Sequence, residues 1–415
     1  MTVRRALAAL LCLATLTLAV PAHAASGALD TSFDGDGLFS FGLANPAEEG
    51  AAGMAVDSSG RLIVGEGMFG SNMAVARVLA GGGLDPTFAG GVAQLTDGNP
   101  RSTNTVAVQP DGKVLAAGND TDHGQNVFLV RYRANGTPDP TFGASGVAHV
   151  KVCGTSATET NIFVRSDDSI VVVGWCGNGS SRNVLFVLAF RPGGTLNKRF
   201  SGDGTFQLSV GDSYFVRSAI IDGHDRLTVV GGSASGSKPQ KAAIVRILAS
   251  GKLDLAFSGD GKALFDLAAG ADGGRAIASL GRGRVLIVEQ AVSGGGGTAD
   301  VLLFALTGDG KLDTTWSGDG KATIDEDTFD NPWDVVIDAS DRIYIATTIT
   351  FGVDEASAIR TRPNGSLDTT FAGGVAHTGV ESQSSRILLW KGKPTIAGYV
   401  FTGADFDALV ARFLK

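Results

Sequence analysis

The sequence predicts an all-β fold, a seven-bladed β-propeller built from four-stranded antiparallel blades. Variants of the phrase Leu-Asp-x-Thr-Phe return seven times, at intervals of 54 to 59 residues, and each ends in an aromatic residue. A regular period of this length indicates one supersecondary unit copied along the chain. The seven aromatic residues are Phe33, Phe88, Phe142, Phe200, Phe257, Trp316 and Phe371.

The second copy of the repeat shows what one unit contains. Four short segments, rich in apolar and β-branched residues and separated by polar turns, predict four strands that we label a to d: 105–108, 113–118, 127–133 and 147–150. The turn between strands a and b is predicted to keep one length in all copies. A radial arrangement protects the edges of such sheets, which favours a propeller over a parallel β-helix.

The link between strands c and d carries the strongest repeated signal. A glycine stands two residues before the leucine position in every copy, which predicts a backbone with positive φ. We expect the aromatic residue that follows to be buried between neighbouring sheets. The seven glycines are Gly27, Gly82, Gly136, Gly194, Gly251, Gly310 and Gly365.

The two ends of the repeat array are complementary. The array starts with a c-to-d link and a predicted strand at 38–41, and it ends with a predicted strand c at 408–413. We therefore expect the N-terminal strand to pair with the C-terminal blade and close the ring.

Three phrases resemble the bacterial delta-60 repeat. They are Gly-Ser-Leu-Asp-Thr-Thr-Phe at 365–371, Gln-Pro-Asp-Gly-Lys at 109–113 and Val-Arg-Tyr at 130–132. The resemblance covers nearly all of residues 25–415. It implies a β-propeller in an exported bacterial protein, and it implies no activity. The third and fifth copies depart most from the pattern, at 197–199 and 281–283.

Residues 1–24 are typical of an export signal. Arg4 and Arg5 precede an apolar run, and Ala22-His23-Ala24 has the small residues of a cleavage site. We expect cleavage after Ala24, a secreted or periplasmic location, and one propeller domain of seven repeats of about 55 residues over 25–415. No later apolar run approaches about 18 residues, so no membrane span is expected. Retention of the first segment as an anchor is the alternative.

Charge and cysteine content narrow the class of partner. Without the signal the chain has 32 basic and 42 acidic residues, a net charge of −10, which argues against nucleic acid and anionic membranes. We expect a monomer. Cys153 and Cys176 remain, and in an exported protein this even pair predicts a disulfide between two blades. Two separate buried thiols are the alternative.

Several copies carry an arginine seven residues before the repeated leucine position and an aspartate just after it. We expect a structural ion pair between them in each such blade. The third copy lacks both residues, with Ala189 and Asn197 in their places, whereas the fifth keeps Asp313 opposite Ala305. The arginines are Arg77, Arg131, Arg246, Arg360 and Arg412.

Function is expected on one face of the propeller. Alternating strands place the d-to-a and b-to-c links together, and these links vary in length and content, as recognition loops do. We expect this face to bind a protein, peptide or glycan. We predict no catalytic residue, since the sequence has no linear catalytic motif. An extracellular lyase or hydrolase with a site at the channel mouth is the alternative. The candidate ligand-binding residues at the channel rim are Asn104, Arg217, Arg275, Trp333, Asp334 and Trp175.

The densest acidic cluster is a weak metal candidate. Asp325, Asp327 and Asp330 offer oxygen ligands of the kind that calcium prefers, at six to eight per ion. The cluster lacks the spacing of a calcium loop that ends in glutamate. We therefore predict no cofactor and no metal site, with calcium at this cluster as the alternative.

Overall fold

The computed structural model describes residues 25–42, 50–67, 73–95, 102–119, 126–152, 157–177, 182–236, 238–267, 273–292, 299–325, 329–350, 352–403 and 405–415. These residues form an all-β structure of 27 strands with two short 3-10 turns, Ala89–Gly91 and Ala372–Gly374. Within them, no helix is long and apolar enough to cross a membrane.

Strand β1 covers Leu38–Phe41, and the next sixteen strands form four separate four-stranded antiparallel sheets. The first contains β2 Ala51–Val56, β3 Leu62–Glu66, β4 Ala74–Val78 and β5 Val92–Gln94. The second contains β6 Thr105–Val108, β7 Val114–Asn119, β8 Asn126–Tyr132 and β9 Val147–Lys151. The third contains β10 Ala157–Val164, β11 Ile170–Gly177, β12 Asn183–Phe190 and β13 Thr205–Leu208. The fourth contains β14 Ser213–Ile221, β15 Leu227–Ser235, β16 Lys238–Ile247 and β17 Lys262–Phe265.

The remaining strands join β1 in one eleven-stranded sheet. They are β18 Gly274–Gly281, β19 Arg284–Val292, β20 Ala299–Leu306, β21 Lys321–Ile324, β22 Phe329–Ile337, β23 Ile343–Thr350, β24 Asp354–Thr361, β25 Val375–Trp390, β26 Lys393–Phe401 and β27 Phe406–Arg412. Its antiparallel pairings fall into three runs of four: β18 to β21, β22 to β25, and β25 to β27 followed by β1. The long β25 belongs to two runs, and one parallel pair, Ala299 with Phe329, joins the first two.

The predicted strands of the second copy agree with β6 to β9 to within one residue at each end. The expected constant turn length is wrong in two runs. In the last run Trp390 pairs directly with Lys393, so only Lys391 and Gly392 form the turn. In the run that starts at β18, Gly281 pairs directly with Arg284, so only Arg282 and Gly283 form it. All four turn residues have positive φ, from 53° to 78°, the conformation that two-residue hairpin turns prefer.

Neighbouring strand sets are held together by hydrophobic clusters, and each cluster draws on two adjacent sets. One further cluster packs the start of the chain against its end. In it Phe33 and Leu62 contact the same core as Trp390 and Val410. Burial of this apolar surface is the main stabilising term between the sets.

The repeated glycine and aromatic residue are geometrically linked, as the sequence predicts. All seven glycines have φ between 82° and 94°, and the seven aromatic side chains are at most 7% exposed. A Cβ added to Gly310 would lie 2.9 Å from the ring of Phe257 in the preceding copy. The glycine is therefore required both by its φ and by the close approach of a buried ring.

The expected ion pairs are present in the copies that carry both residues. The guanidinium Nε lies 2.6 to 3.0 Å from the aspartate carboxylate in the five pairs. In the fifth copy Asp313 keeps an ion pair with Arg284 on β19, whose Nη1 lies 3.0 Å away; the first copy makes the same contact between Arg61 and Asp85, at 3.1 Å. In the third copy Arg165, just after β10, lies over the Phe200 ring, 5.5 Å from the centroid, and donates to Ala249 O at 3.3 Å. The missing arginine of the third copy is thus replaced from another segment, whereas the fifth copy retains one of its usual contacts.

Candidate binding site at the channel mouth

The first strand of each set contacts the first strands of two other sets. These contacts run from β2 through β6, β10, β14, β18 and β22 to β25, and β25 also contacts β2. We call the space between these inner strands the central channel.

Each inner strand is interrupted near its start by one extra residue. Register shifts mark the extra residue in six of them. Asn104 is the corresponding residue before β6. Its N–H donates to Ala117 O, although Ala117 already pairs with Thr105, so two residues lie opposite one. A bulge leaves its extra residue outside the ladder and re-aims the side chain. These seven residues, which we call the bulge ring, are Ala52, Asn104, Thr160, Arg217, Arg275, Trp333 and Ser385.

The bulge ring lines one cavity of about 300 Å³ at the channel mouth. The structure thus brings together five of the predicted rim residues: Asn104, Arg217, Arg275, Trp333 and Trp175. Other lining residues include Glu159 and Arg386. The sixth predicted residue, Asp334, lies directly beside the cavity on β22, where its carboxylate accepts the N–H groups of Ile387 and Val335 at 3.1 and 2.9 Å.

Arg275 and Trp333 hold each other in place on one side of the cavity. The guanidinium carbon of Arg275 lies 5.8 Å from the indole centroid, and its Nη2 donates to Gln290 Oε1 at 2.6 Å. Trp333 Nε1 donates to Thr348 Oγ1 at 3.0 Å. A fixed cation beside a fixed aromatic ring is a pre-formed recognition element.

Glu159 is a buried carboxyl group in the same cavity. It is 2% exposed, and its Oε2 accepts a hydrogen bond from Asn104 Nδ2 at 2.8 Å. Among the described residues, no hydrogen-bond partner meets its Oε1. Burial raises the pKa of Glu159 to about 7, and the bond from Asn104 only partly opposes this effect. Near neutral pH this group therefore exists in both protonation states.

Arg386 spans the channel. It projects from β25, and its Nη2 donates to Thr160 O on β10 at 3.1 Å. Its charge also acts on Asp334: burial raises the pKa of that carboxyl group, and the nearby guanidinium offsets part of the rise. The net pKa of Asp334 remains above its usual range.

Arg386 was not predicted as a site residue, and Glu159, which the sequence places on the links of the recognition face, was not predicted at the channel rim. The residue before the bulge is small or apolar in four of the other inner strands, at Ala51, Val216, Gly274 and Pro332. An alignment of the copies on the bulge would therefore have singled out the carboxylate of Glu159.

The other residues predicted from the sequence are the acidic cluster proposed for a metal and the two cysteines. Asp325 is exposed and Asp330 is completely buried, whereas Asp327 lies outside the described residues. In the part of the chain that the structure describes, no three His, Cys, Asp or Glu residues are arranged to hold a metal ion. Cys176 is buried and disulfide-bonded. Cys153 lies outside the described residues, so its pairing with Cys176 stays a prediction.

Comparison with known proteins defines the class of fold. Residues 109–142 match the family described as a domain of unknown function (DUF5122) beta-propeller. Drosophila semaphorin 2a is similar over 91% of this chain and 75% of its own, at 10% identity and a TM-score of 0.54. The extracellular domains 1–2 of Drosophila semaphorin 1a are similar over 90% of this chain and 87% of theirs, at 10% identity and a TM-score of 0.51. No curated protein matches the sequence.

The family match, the semaphorin structures and the strand pairing agree. The chain is a β-propeller protein made of several four-stranded antiparallel sheets. At 10% identity the semaphorins show the fold alone, so the function has to be argued from the residues of this chain.

Proposed function

We propose that this protein is an exported, seven-bladed β-propeller of the delta-60 repeat type. Its function is to bind a protein, peptide or glycan at the channel mouth, without catalysis and as a monomer. The site is the cavity lined by the bulge ring, on the face that carries the d-to-a and b-to-c links.

Contacts between the two ends of the chain support a closed ring. Strand β1 pairs antiparallel with β27, with Leu38 opposite Ala411. Ala372 donates its N–H to Ser26 O at 3.0 Å, the same contact that Ala89 makes to Asn135 between earlier copies. With this closure, the four separate sheets and the three runs of the larger sheet correspond to seven blades.

The observation that carries the binding proposal is the diversity of the bulge ring. At the position of the repeated glycine all copies keep one residue type, and the residue that packs against it is always aromatic. At the bulge the copies carry alanine, asparagine, threonine, two arginines, tryptophan and serine. Side chains that differ between copies yet converge on one cavity are what a specific ligand site requires.

The proposal is tested by measuring binding of residues 25–415 to arrays of glycans and peptides. We expect a ligand whose binding is lost in Trp333→Ala and weakened in Arg217→Gln. The matched control is Arg282→Gln, which removes an exposed arginine at the far end of β18. The proposal is wrong if every bound ligand is retained equally by the three variants.

A second candidate function is favoured by Glu159 alone. A buried carboxyl group with a pKa of about 7, beside arginine residues in a cleft, has the properties of a general acid or base. An extracellular lyase or hydrolase would use it in that role. Incubation with polysaccharides and peptides should then release shorter products, and Glu159→Gln should abolish the release.

A further inference from the structure

We propose that the channel-mouth cavity recognises the carboxylate group of an acidic sugar, which Arg217 and Arg275 bind and to which Glu159 donates a hydrogen bond. This inference rests on the proposed binding function and names the chemistry of its ligand. It follows from the charges around the cavity, the position of Glu159 and the shape of the site.

The charged groups around the cavity favour an anion. Arg217 on β14, Arg275 on β18 and Arg386 on β25 line it, and Glu159 on β10 is the acid among the lining residues. Asp334 and the buried Glu289 lie beside them. Burial raises the pKa of Glu159 to about 7, which weakens its repulsion of an anion. Three guanidinium groups therefore meet at one cavity of a chain whose net charge is −8. Guanidinium groups bind carboxylates in paired, charge-assisted hydrogen bonds.

Glu159 can supply a hydrogen-bond donor from the cavity wall. Its Oε2 accepts from Asn104, so in the neutral form the proton resides on Oε1. That atom is buried and has no hydrogen-bond partner among the described residues, and Glu159 is part of the cavity wall. Protonation of Glu159 removes a charge that repels a carboxylate and supplies a donor to it. Binding should therefore be tighter on the acid side of neutrality.

The shape of the site favours a sugar over a peptide. A peptide that binds as an added strand needs a free sheet edge, whereas the bulge ring presents side chains from the starts of the inner strands. The cavity volume of about 300 Å³ fits a small ligand group. Thr160 and Ser385 add hydroxyl groups to the wall, and because their protons already bond to backbone carbonyls, their oxygens can accept from sugar hydroxyls.

The experiment measures binding of residues 25–415 to oligomers of galacturonate, glucuronate, mannuronate and guluronate, and to their methyl esters, which lack the negative charge. We expect at least one acidic oligomer to bind tenfold or more tightly than its ester. Arg217→Gln and Arg275→Gln should each reduce that affinity at least tenfold, while Arg282→Gln leaves it unchanged. Thermal unfolding of each variant confirms that it is folded.

The pH dependence provides a second readout. The affinity for the acidic oligomer should fall several-fold between pH 6 and pH 8, and Glu159→Gln should remove this dependence. Equal binding of ester and acid, or binding of acidic peptides alone, overturns the sugar carboxylate but leaves the binding function intact. If no glycan or peptide on the arrays binds at all, both proposals fail.

Discussion

The indole Nε1 of Trp316 donates a hydrogen bond to Pro363 O at 2.8 Å and so joins the fifth copy of the repeat to the sixth. Pro363 lies two residues before the repeated glycine, Gly365. At other junctions the equivalent carbonyl accepts its hydrogen bond from an arginine: Arg77 donates to Ala134 at 2.6 Å, and Arg131 to Pro192 at 2.5 Å. Trp316 therefore performs the arginine's task in the copy where Ala305 replaces that arginine.

Loss of this hydrogen bond should weaken the fold. Trp316→Phe keeps an aromatic ring of the kind found in the other six copies but removes the donor to the Pro363 carbonyl. Pro363 is exposed, so water can take the place of the indole donor. The free energy of unfolding in urea should therefore fall only by the net value of one hydrogen bond, about 0.5 to 1.5 kcal/mol. An unchanged midpoint would mean that the tryptophan only fills space. Trp316→Ala, which also leaves a cavity, should cost about 3 to 5 kcal/mol.

The more deeply an ion pair is buried, the more its loss should lower the free energy of unfolding. Arg131 is 6% exposed and Asp139 is 2% exposed, so Arg131→Ala leaves a buried carboxylate whose remaining cation, the exposed Arg133, lies 3.9 Å away. We expect a loss of about 3 to 5 kcal/mol in the free energy of unfolding. The matched control is Lys311→Ala at the exposed pair with Asp309, where water screens both charges and no measurable loss is expected. Equal losses at the two pairs would contradict the assignment of Arg131 as a structural residue.

The contact between the chain ends should be sensitive to acid. Burial acts to raise the pKa of Asp30, but hydrogen bonds from Lys393, Ser32 and Arg412 outweigh it and lower the pKa to about 2. Because the folded-state pKa is below the unfolded value of 3.8, the stabilisation is complete above about pH 4 and is lost as the pH falls towards 2.

Asp30→Asn tests this pH dependence. The variant should be less stable than the wild type at pH 7, and the difference should shrink as the pH falls from 4 to 2. Asp319→Asn, at an exposed turn, should be as stable as the wild type throughout. A constant difference for Asp30→Asn over the same range would show that titration of Asp30 does not contribute to acid unfolding.

The repeat made the strands and their packing predictable, because each copy independently reports the same local geometry. The positive φ of Gly82 and the burial of Phe88 follow from residue types that recur in every copy. The compensation at Trp316 and at Arg165 did not follow. These contacts join residues from different strands or copies, and only the fold reveals which substitutions are neighbours.

The position of the candidate site could be predicted from the sequence, but only some of its residues could. Placing the d-to-a links on one face was enough to select Arg217, Arg275 and Trp333. Tyr214, at the start of β14, is fully buried instead, and its hydroxyl donates to Ala243 O at 3.0 Å. The decisive feature is the bulge, which turns the side chain of one residue in each inner strand to the opposite face. The residues at this position share no single type, so a sequence pattern does not reveal it.

Removal of residues 1–42 should show how the ring is closed. It deletes β1, Phe33 and Asp30, so β27 becomes an exposed edge and Arg412 loses its buried carboxylate. Unpaired edges promote association between chains. Size-exclusion chromatography should therefore show oligomers of residues 43–415, whereas the control of residues 25–415 elutes as a monomer. A synthetic peptide of residues 25–42, added in trans, should bind and restore the monomer. A monomeric truncated chain with the unfolding midpoint of the control would show that the N-terminal strand is dispensable for closure.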